Sequence, residues 1–250
     1  MNIENLRDLG GLKSKDGRSI RHGLLIRSAS LFNISDSDAA ELTDVLHLKT
    51  IIDLRSDLER SEKPDKEIKG VSNIHIPIFS DTVLGISRDS ISLEKLGQTM
   101  WLDMAMLYRG MVDHPMAVRG FANVLYKVMN HPDDGAVLWH CSAGKDRCGM
   151  VSVLVEHMLG IDRETIFADY METNKTAISF ADSAFRSFIA KGVPEEAAYK
   201  IRSLYVADEA YLEAALSEME TLYGGPDGFI HKALKISDEN IEKFRNKCLL

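Results

Sequence analysis

The segment AVLWHCSAGKDRCGMVSVLVEHMLG, residues 136–160, constrains the fold more than any other part of the chain. An apolar run of strand length meets three small residues and then passes straight into a helical pattern that begins near Arg147. A continuous apolar run of this length predicts a strand buried on both faces, which belongs to a sheet covered by helices. Three further short apolar runs match it: GLLIRS (23–28), TIIDLR (50–55) and NIHIPIF (73–79). Helical patterns separate or follow them, including SDSDAAELTDVL (35–46), which opens on capping residues, and MAVRGFANVLYKVM (116–129), with Pro115 at its first turn. After residue 147 the pattern is almost wholly helical. The expected architecture is α/β: a central, mainly parallel sheet of four to five strands flanked by helices, with an extra C-terminal helical layer.

No repeat, low-complexity stretch or linker interrupts the 250 residues, so one domain spanning 1–250 is expected. The formal net charge of −8 argues against broad electrostatic binding to nucleic acid or an anionic membrane, but leaves room for a local basic pocket. Cys141, Cys148 and Cys248 do not make a disulfide framework. The charged start MNIENLRDLGG lacks a signal peptide's apolar run, and no stretch approaches the roughly 20 apolar residues of a membrane span. A cytoplasmic protein without integral membrane association is expected, although a leaderless export route would leave no trace.

In open parallel sheets, ligands bind beyond the carboxyl ends of the strands. Here those ends carry Arg27 and Ser28, Asp53 and Arg55, Asp81 shortly after the third run, and His140 and Cys141. The loop 141–147 adds the spacing C-x5-R. Small residues at Ser142, Ala143 and Gly144 let successive backbone N–H groups converge, and the following helix N-terminus adds partial positive charge. The result is a cup for a tetrahedral anion such as phosphate, with the Arg147 fork adding two parallel hydrogen bonds. The same field favours a thiolate at Cys141. Attack of that sulfur on phosphorus would give a phosphocysteine, which water then hydrolyses. The leaving oxygen needs an acid, and Asp146 and Asp81 both qualify. No cofactor or metal is called for, since His140 has no suitably spaced co-ligands.

HCSAGKDRCG (140–149) resembles the H-C-x-x-G-x-x-R-[ST]-G loop of cysteine-dependent protein tyrosine phosphatases, and its Gly-Lys-Asp-Arg form resembles the atypical bacterial tyrosine and phosphoinositide phosphatases. NLRDLGG (5–11), GLLIRSASL (23–31), IIDLRSDLERSEKPD (51–65) and GGPDGFI (224–230) resemble other blocks of that bacterial family. The resemblance implies Cys141 as nucleophile, Arg147 as phosphate clamp and Ser142, Ala143, Gly144, Lys145 and Asp146 as the cup. It favours Asp146 as general acid/base over Asp81, the analogue of the wider superfamily's acid. Lys145 resembles a lysine associated with lipid-phosphate activity, with a solvated loop lysine as the plainer reading. The expected substrates are phosphoproteins, phosphotyrosine first, or phospholipid head groups.

Three positions carry further expectations. His140 orients the loop through a ring N–H to backbone. Cys148 replaces the usual Ser or Thr and is a weaker donor, so slower intermediate breakdown is expected; it is either a tolerated small replacement or a redox partner of Cys141. TMWLDMAMLYRGMV (99–112) is either a core-facing helix or a lid. Two other functions remain open on the same residues: a rhodanese-like sulfurtransferase, and a phosphate-binding pseudophosphatase that recognises phosphate without cleaving it.

Overall fold

The computed structural model describes residues 1–80 and 103–250. Its five-stranded sheet comprises β1 (Arg7–Asp8), β2 (Leu25–Ser28), β3 (Leu48–Asp53), β4 (Ser72–His75) and β5 (Ala136–His140), in the spatial order β1-β2-β5-β3-β4. β1 pairs antiparallel with β2, and the remaining neighbours are parallel. All five residues of β5 are buried, as its central place between β2 and β3 requires.

The side-chain alternation of the strands divides the core in two. Leu25, Ile52, Val137 and Trp139 point into the larger core, while Ile26, Ile51, Ala136 and Leu138 point into the smaller one. The smaller core is closed by Leu42 of α1 (Asp36–Asp44) together with Ile3, Leu31, Ile34 and Ile68. The larger is closed by α3 (Met104–Asp113), α4 (Pro115–Met129), α5 (Asp146–Met158), α6 (Arg163–Glu172) and α9 (Glu209–Tyr223). α2 (Asp57–Glu62) follows β3. α5 runs through the middle of the molecule, and every residue of it but the half-buried His157 is buried. Burying each large apolar side chain contributes roughly 1.5–3 kcal/mol. The Trp139 indole N–H is satisfied by Ser152 Oγ at 3.2 Å.

The four apolar runs all form strands, with trimmed ends. The third stops at His75, before Pro77, which has no N–H for a ladder. The expected C-terminal helical layer comprises α6, α7 (Asn174–Ala190), α8 (Glu195–Tyr205), α9, a helical turn at Pro226–Gly228 leading into a π-helix (Phe229–Ala233), and α10 (Asp238–Cys248). α9 ends on Gly224 in the left-handed conformation (φ 81°). The Leu250 N–H donates to the Ser19 carbonyl and the Ser19 N–H to the Leu250 carbonyl, tying the last residue to the N-terminal part of the chain. The described part of 99–112 is the core-facing helix α3, with Tyr108, Met111 and Val112 fully buried. Among the described residues, no helix is long and apolar enough to cross a membrane.

Candidate active site

β5 delivers His140 and Cys141 to the carboxyl edge of the sheet, level with Ser28 of β2 and Asp53 of β3. The chain then turns through residues 142–145 into α5, whose first residues are Asp146 and Arg147. Gly144 makes this turn possible. Its φ is +65°, and a Cβ there would lie 2.5 Å from the Ser28 carbonyl oxygen and 2.7 Å from the Ala29 nitrogen.

Three successive loop carbonyls are taken by partners from the N-terminal part of the chain. Ser142 O accepts from Ser30 N–H at 3.1 Å. Ala143 O accepts from Asn5 Nδ2 at 3.1 Å, and Gly144 O from Asn5 Nδ2 and Arg27 Nη2, both at 2.9 Å. The chain holds no cis peptide among its described residues, and a trans peptide sets each N–H opposite the preceding carbonyl. The amides of Ala143, Gly144 and Lys145 are thereby turned away from Ser30, Asn5 and Arg27.

Arg147 is held from α2. Its Nη1 and Nη2 donate to Glu59 Oε2 and Oε1 at 2.6 and 2.9 Å, a bidentate pair. Glu59 is also the N3 residue of a capping box: Ser56 N–H donates to Glu59 Oε2 at 2.9 Å and Glu59 N–H to Ser56 Oγ. Ser142 Oγ donates to Glu59 Oε1. Burial alone would raise the Glu59 carboxyl, but the Arg147 charge and these bonds hold it well below the usual carboxylate range. Burial likewise works against the Arg147 charge, and Glu59 more than restores it.

Asp146 is buried and accepts from the Tyr108 hydroxyl at 3.0 Å; that hydroxyl lies 2.7 Å from the Tyr170 hydroxyl. Lys145 is fully buried, unlike the solvated lysine that the sequence allowed. Its Nζ donates to the Val206 carbonyl at 2.7 Å, lies 3.3 Å from Asp146 Oδ1 and sits over the Tyr211 ring. His140 Nδ1 lies 3.3 Å from the Cys141 carbonyl oxygen, and Nε2 lies 3.0 Å from Asp65. Asp53, Asp65 and His140 converge closely enough for a cation to bridge them. The Arg55 guanidinium already occupies that place, 2.8 Å from both carboxylates. The Cys148 thiol points to the Trp139 and Ser28 carbonyls at 3.4 and 3.8 Å, and burial pushes it up to about 12. Asp81 lies outside the described residues.

Asn5, Glu59, Tyr108 and Asp169 went unassigned from the sequence. Asn5 and Glu59 do fall in the blocks 5–11 and 51–65 and Tyr108 in the stretch 99–112, and Ser56-x-x-Glu59 is a capping pattern, but none of these assigns a role.

An amide-lined loop between a parallel strand and a helix, carrying a cysteine at one end and an arginine at the other, defines the class: a cysteine-dependent phosphatase. Residues 1–250 match the profile described as the tyrosine phosphatase family, and the chain belongs to that family. It is similar to a Cupriavidus necator protein named as a tyrosine-protein phosphatase, at 28% identity over 94% of this chain and 82% of that one. It is also similar to the triple specificity protein phosphatase PtpB of Mycobacterium tuberculosis, at 26% identity over 98% of this chain and 96% of that one. Among solved structures, the core catalytic domain of the PP-IP phosphatase SIW14 from S. cerevisiae overlaps loosely, with a TM-score of 0.41 and 15% identity over 86% of this chain and 93% of that one.

Proposed function

We propose that the protein hydrolyses phosphate monoesters, phosphotyrosine first, through a phosphocysteine on Cys141. The Cys141 thiolate attacks phosphorus while the P–O ester bond breaks, and the leaving oxygen takes a proton from Asp146. A water then gives a proton to the Asp146 carboxylate and attacks phosphorus, releasing the thiolate and inorganic phosphate. The loop amides from Ser142 to Asp146 and the Arg147 guanidinium carry the developing charge on the equatorial oxygens. Lys145 enters this scheme through its amide, with its ammonium beside Asp146. His140 holds the strand end that presents Cys141.

The observation that carries this reading is the bonded set of three carbonyls at Ser142, Ala143 and Gly144, which leaves the amides on the other face of the loop for an anion. Glu59 takes one bond from each Arg147 terminal nitrogen, so the expected two-pronged grip on phosphate falls to the remaining N–H groups; a fixed guanidinium beside the loop still suits phosphate better than the sulfane sulfur of a rhodanese-like enzyme. The words triple specificity in the name of the Mycobacterium tuberculosis relative support a substrate range wider than phosphotyrosine alone; phosphoserine and phosphoinositide head groups are the further substrates of this proposal. Residues 1–250 acting as one unit in the cytoplasm belong to the same proposal; the backbone bonds between Ser19 and Leu250 support the former.

Phosphate release from p-nitrophenyl phosphate and from a phosphotyrosine peptide tests it. Cys141→Ser is expected to abolish turnover, and Arg147→Ala to reduce it by about 1,000-fold or more. Turnover that survives Cys141→Ser would end the mechanism. Sulfur transfer from thiosulfate to cyanide without phosphate release would favour the rhodanese-like reading.

A further inference from the structure

Beneath the loop lies a buried charge cluster that the reaction scheme leaves unused. Arg27, on β2, is fully buried. Its Nη1 donates to Asp169 Oδ2 at 2.7 Å and its Nη2 to Gly144 O at 2.9 Å. Asp169, on α6, also accepts from Arg7 Nε at 2.7 Å, and its own carbonyl accepts from Arg7 Nη2 at 2.8 Å. Arg7 Nη1 donates in turn to Asn5 Oδ1, which fixes the Asn5 side-chain amide with Nδ2 toward the Ala143 and Gly144 carbonyls. Arg7 and Arg27 face each other in the β1–β2 register, so one strand pair aims both guanidinia at the same carboxylate. Glu156 of α5 is buried against this cluster.

A buried arginine needs a carboxylate, and Asp169 meets that need. The second fork of Arg27 is then left for the loop. A carbonyl held by a locked guanidinium cannot rotate, and its peptide plane fixes the next N–H. We infer that Arg27 is a positioning residue for the oxyanion-binding loop: locked by Asp169, it holds the Gly144 carbonyl outward and so turns the following amide into the cup. Asn5, locked by Arg7, does the same for the Ala143 carbonyl. The inference rests on the phosphatase reading, because it assigns these residues a role only if the cup binds an oxyanion.

Tungstate, a tetrahedral oxyanion with no bond to hydrolyse, separates loop geometry from chemistry. Its affinity is measured calorimetrically for wild type, Asn5→Ala, Arg27→Lys and Cys141→Ser, beside thermal melts and kcat and KM for p-nitrophenyl phosphate. Asn5 is partly exposed, so Asn5→Ala is expected to fold, with about 1–2 kcal/mol for alanine in its left-handed backbone (φ 53°) read from the melts; Arg27→Lys keeps the charge and loses the fork. Both are expected to weaken tungstate by about 10- to 100-fold and to lower kcat/KM by a similar factor, out of proportion to any change in Tm. A folded Asn5→Ala that binds tungstate as tightly as wild type would overturn the inference, and this variant decides alone if Arg27→Lys does not fold. Full turnover by Cys141→Ser would instead sink the phosphatase reading.

Discussion

Glu59 presents both carboxylate oxygens to the two terminal nitrogens of Arg147, at 2.6 and 2.9 Å, across 88 residues of sequence. The carboxylate is itself fixed by the Ser56 N–H, so the arginine side chain is set before any anion arrives. Glu59→Gln keeps the shape but loses the charge and one acceptor. We expect kcat/KM for p-nitrophenyl phosphate to fall by about 10- to 100-fold, with KM rising as well. Unchanged steady-state constants would show that Arg147 needs no such partner.

Gly144 combines a left-handed backbone with contact against the Ser28–Ala29 peptide. Gly144→Ala imposes about 1–2 kcal/mol for the backbone conformation and a clash against main chain that cannot swing away. The loop has to move. Phosphate protection of Cys141 from alkylation should disappear in this variant even where circular dichroism reports a folded protein; retained protection would refute the argument.

Tyr108→Phe removes the hydroxyl that donates to Asp146 and keeps the ring in the core. If Asp146 protonates the leaving oxygen, kcat should fall more for phenyl phosphate, a poor leaving group, than for p-nitrophenyl phosphate. Equal losses on the two substrates would remove Asp146 from that role.

Burial pushes Cys148 and Cys248 up to about 12. Brief iodoacetamide treatment near neutral pH should therefore place one adduct, on Cys141, with inorganic phosphate slowing it. Mass spectrometry that finds Cys148 labelled first would contradict this assignment.

Glu156 is fully buried, and burial together with neighbouring Asp169 pushes its carboxyl well above the ordinary 4.5. The folded protein keeps this proton where the unfolded chain releases it. Stability from this group is therefore complete below about pH 4.5 and declines as pH rises, by up to about 1.4 kcal/mol per unit. Melting curves should show Glu156→Gln gaining on wild type between about pH 5 and pH 8. A constant difference across that range would mean that the carboxyl ionises freely in the fold.

The central strands and the loop were legible because each rests on a local pattern: an unbroken apolar run, small residues, a helix start. β1 was not, since two residues at an antiparallel edge leave no periodicity to read. Arg27 stood out as a charge at a strand end, but its direction was hidden. The sequence suggested the open edge of the sheet, whereas the side chain turns back beneath the loop to Asp169, 142 residues away. Lys145 read either as a second cation beside the cup or as a solvated loop lysine, and Val206, just after α8, supplies an acceptor that neither reading foresaw. In each case the deciding partner lies on a distant element that no spacing rule links to it.

The loop 142–146 is braced by Asn5 and Arg27 from the N-terminal part of the chain and, through Asp169, by α6 from beyond the loop. A ribosome that has made the loop but not yet α6 has therefore made a thiol without its finished cradle. The bracing therefore waits on Asp169, 22 residues after Arg147.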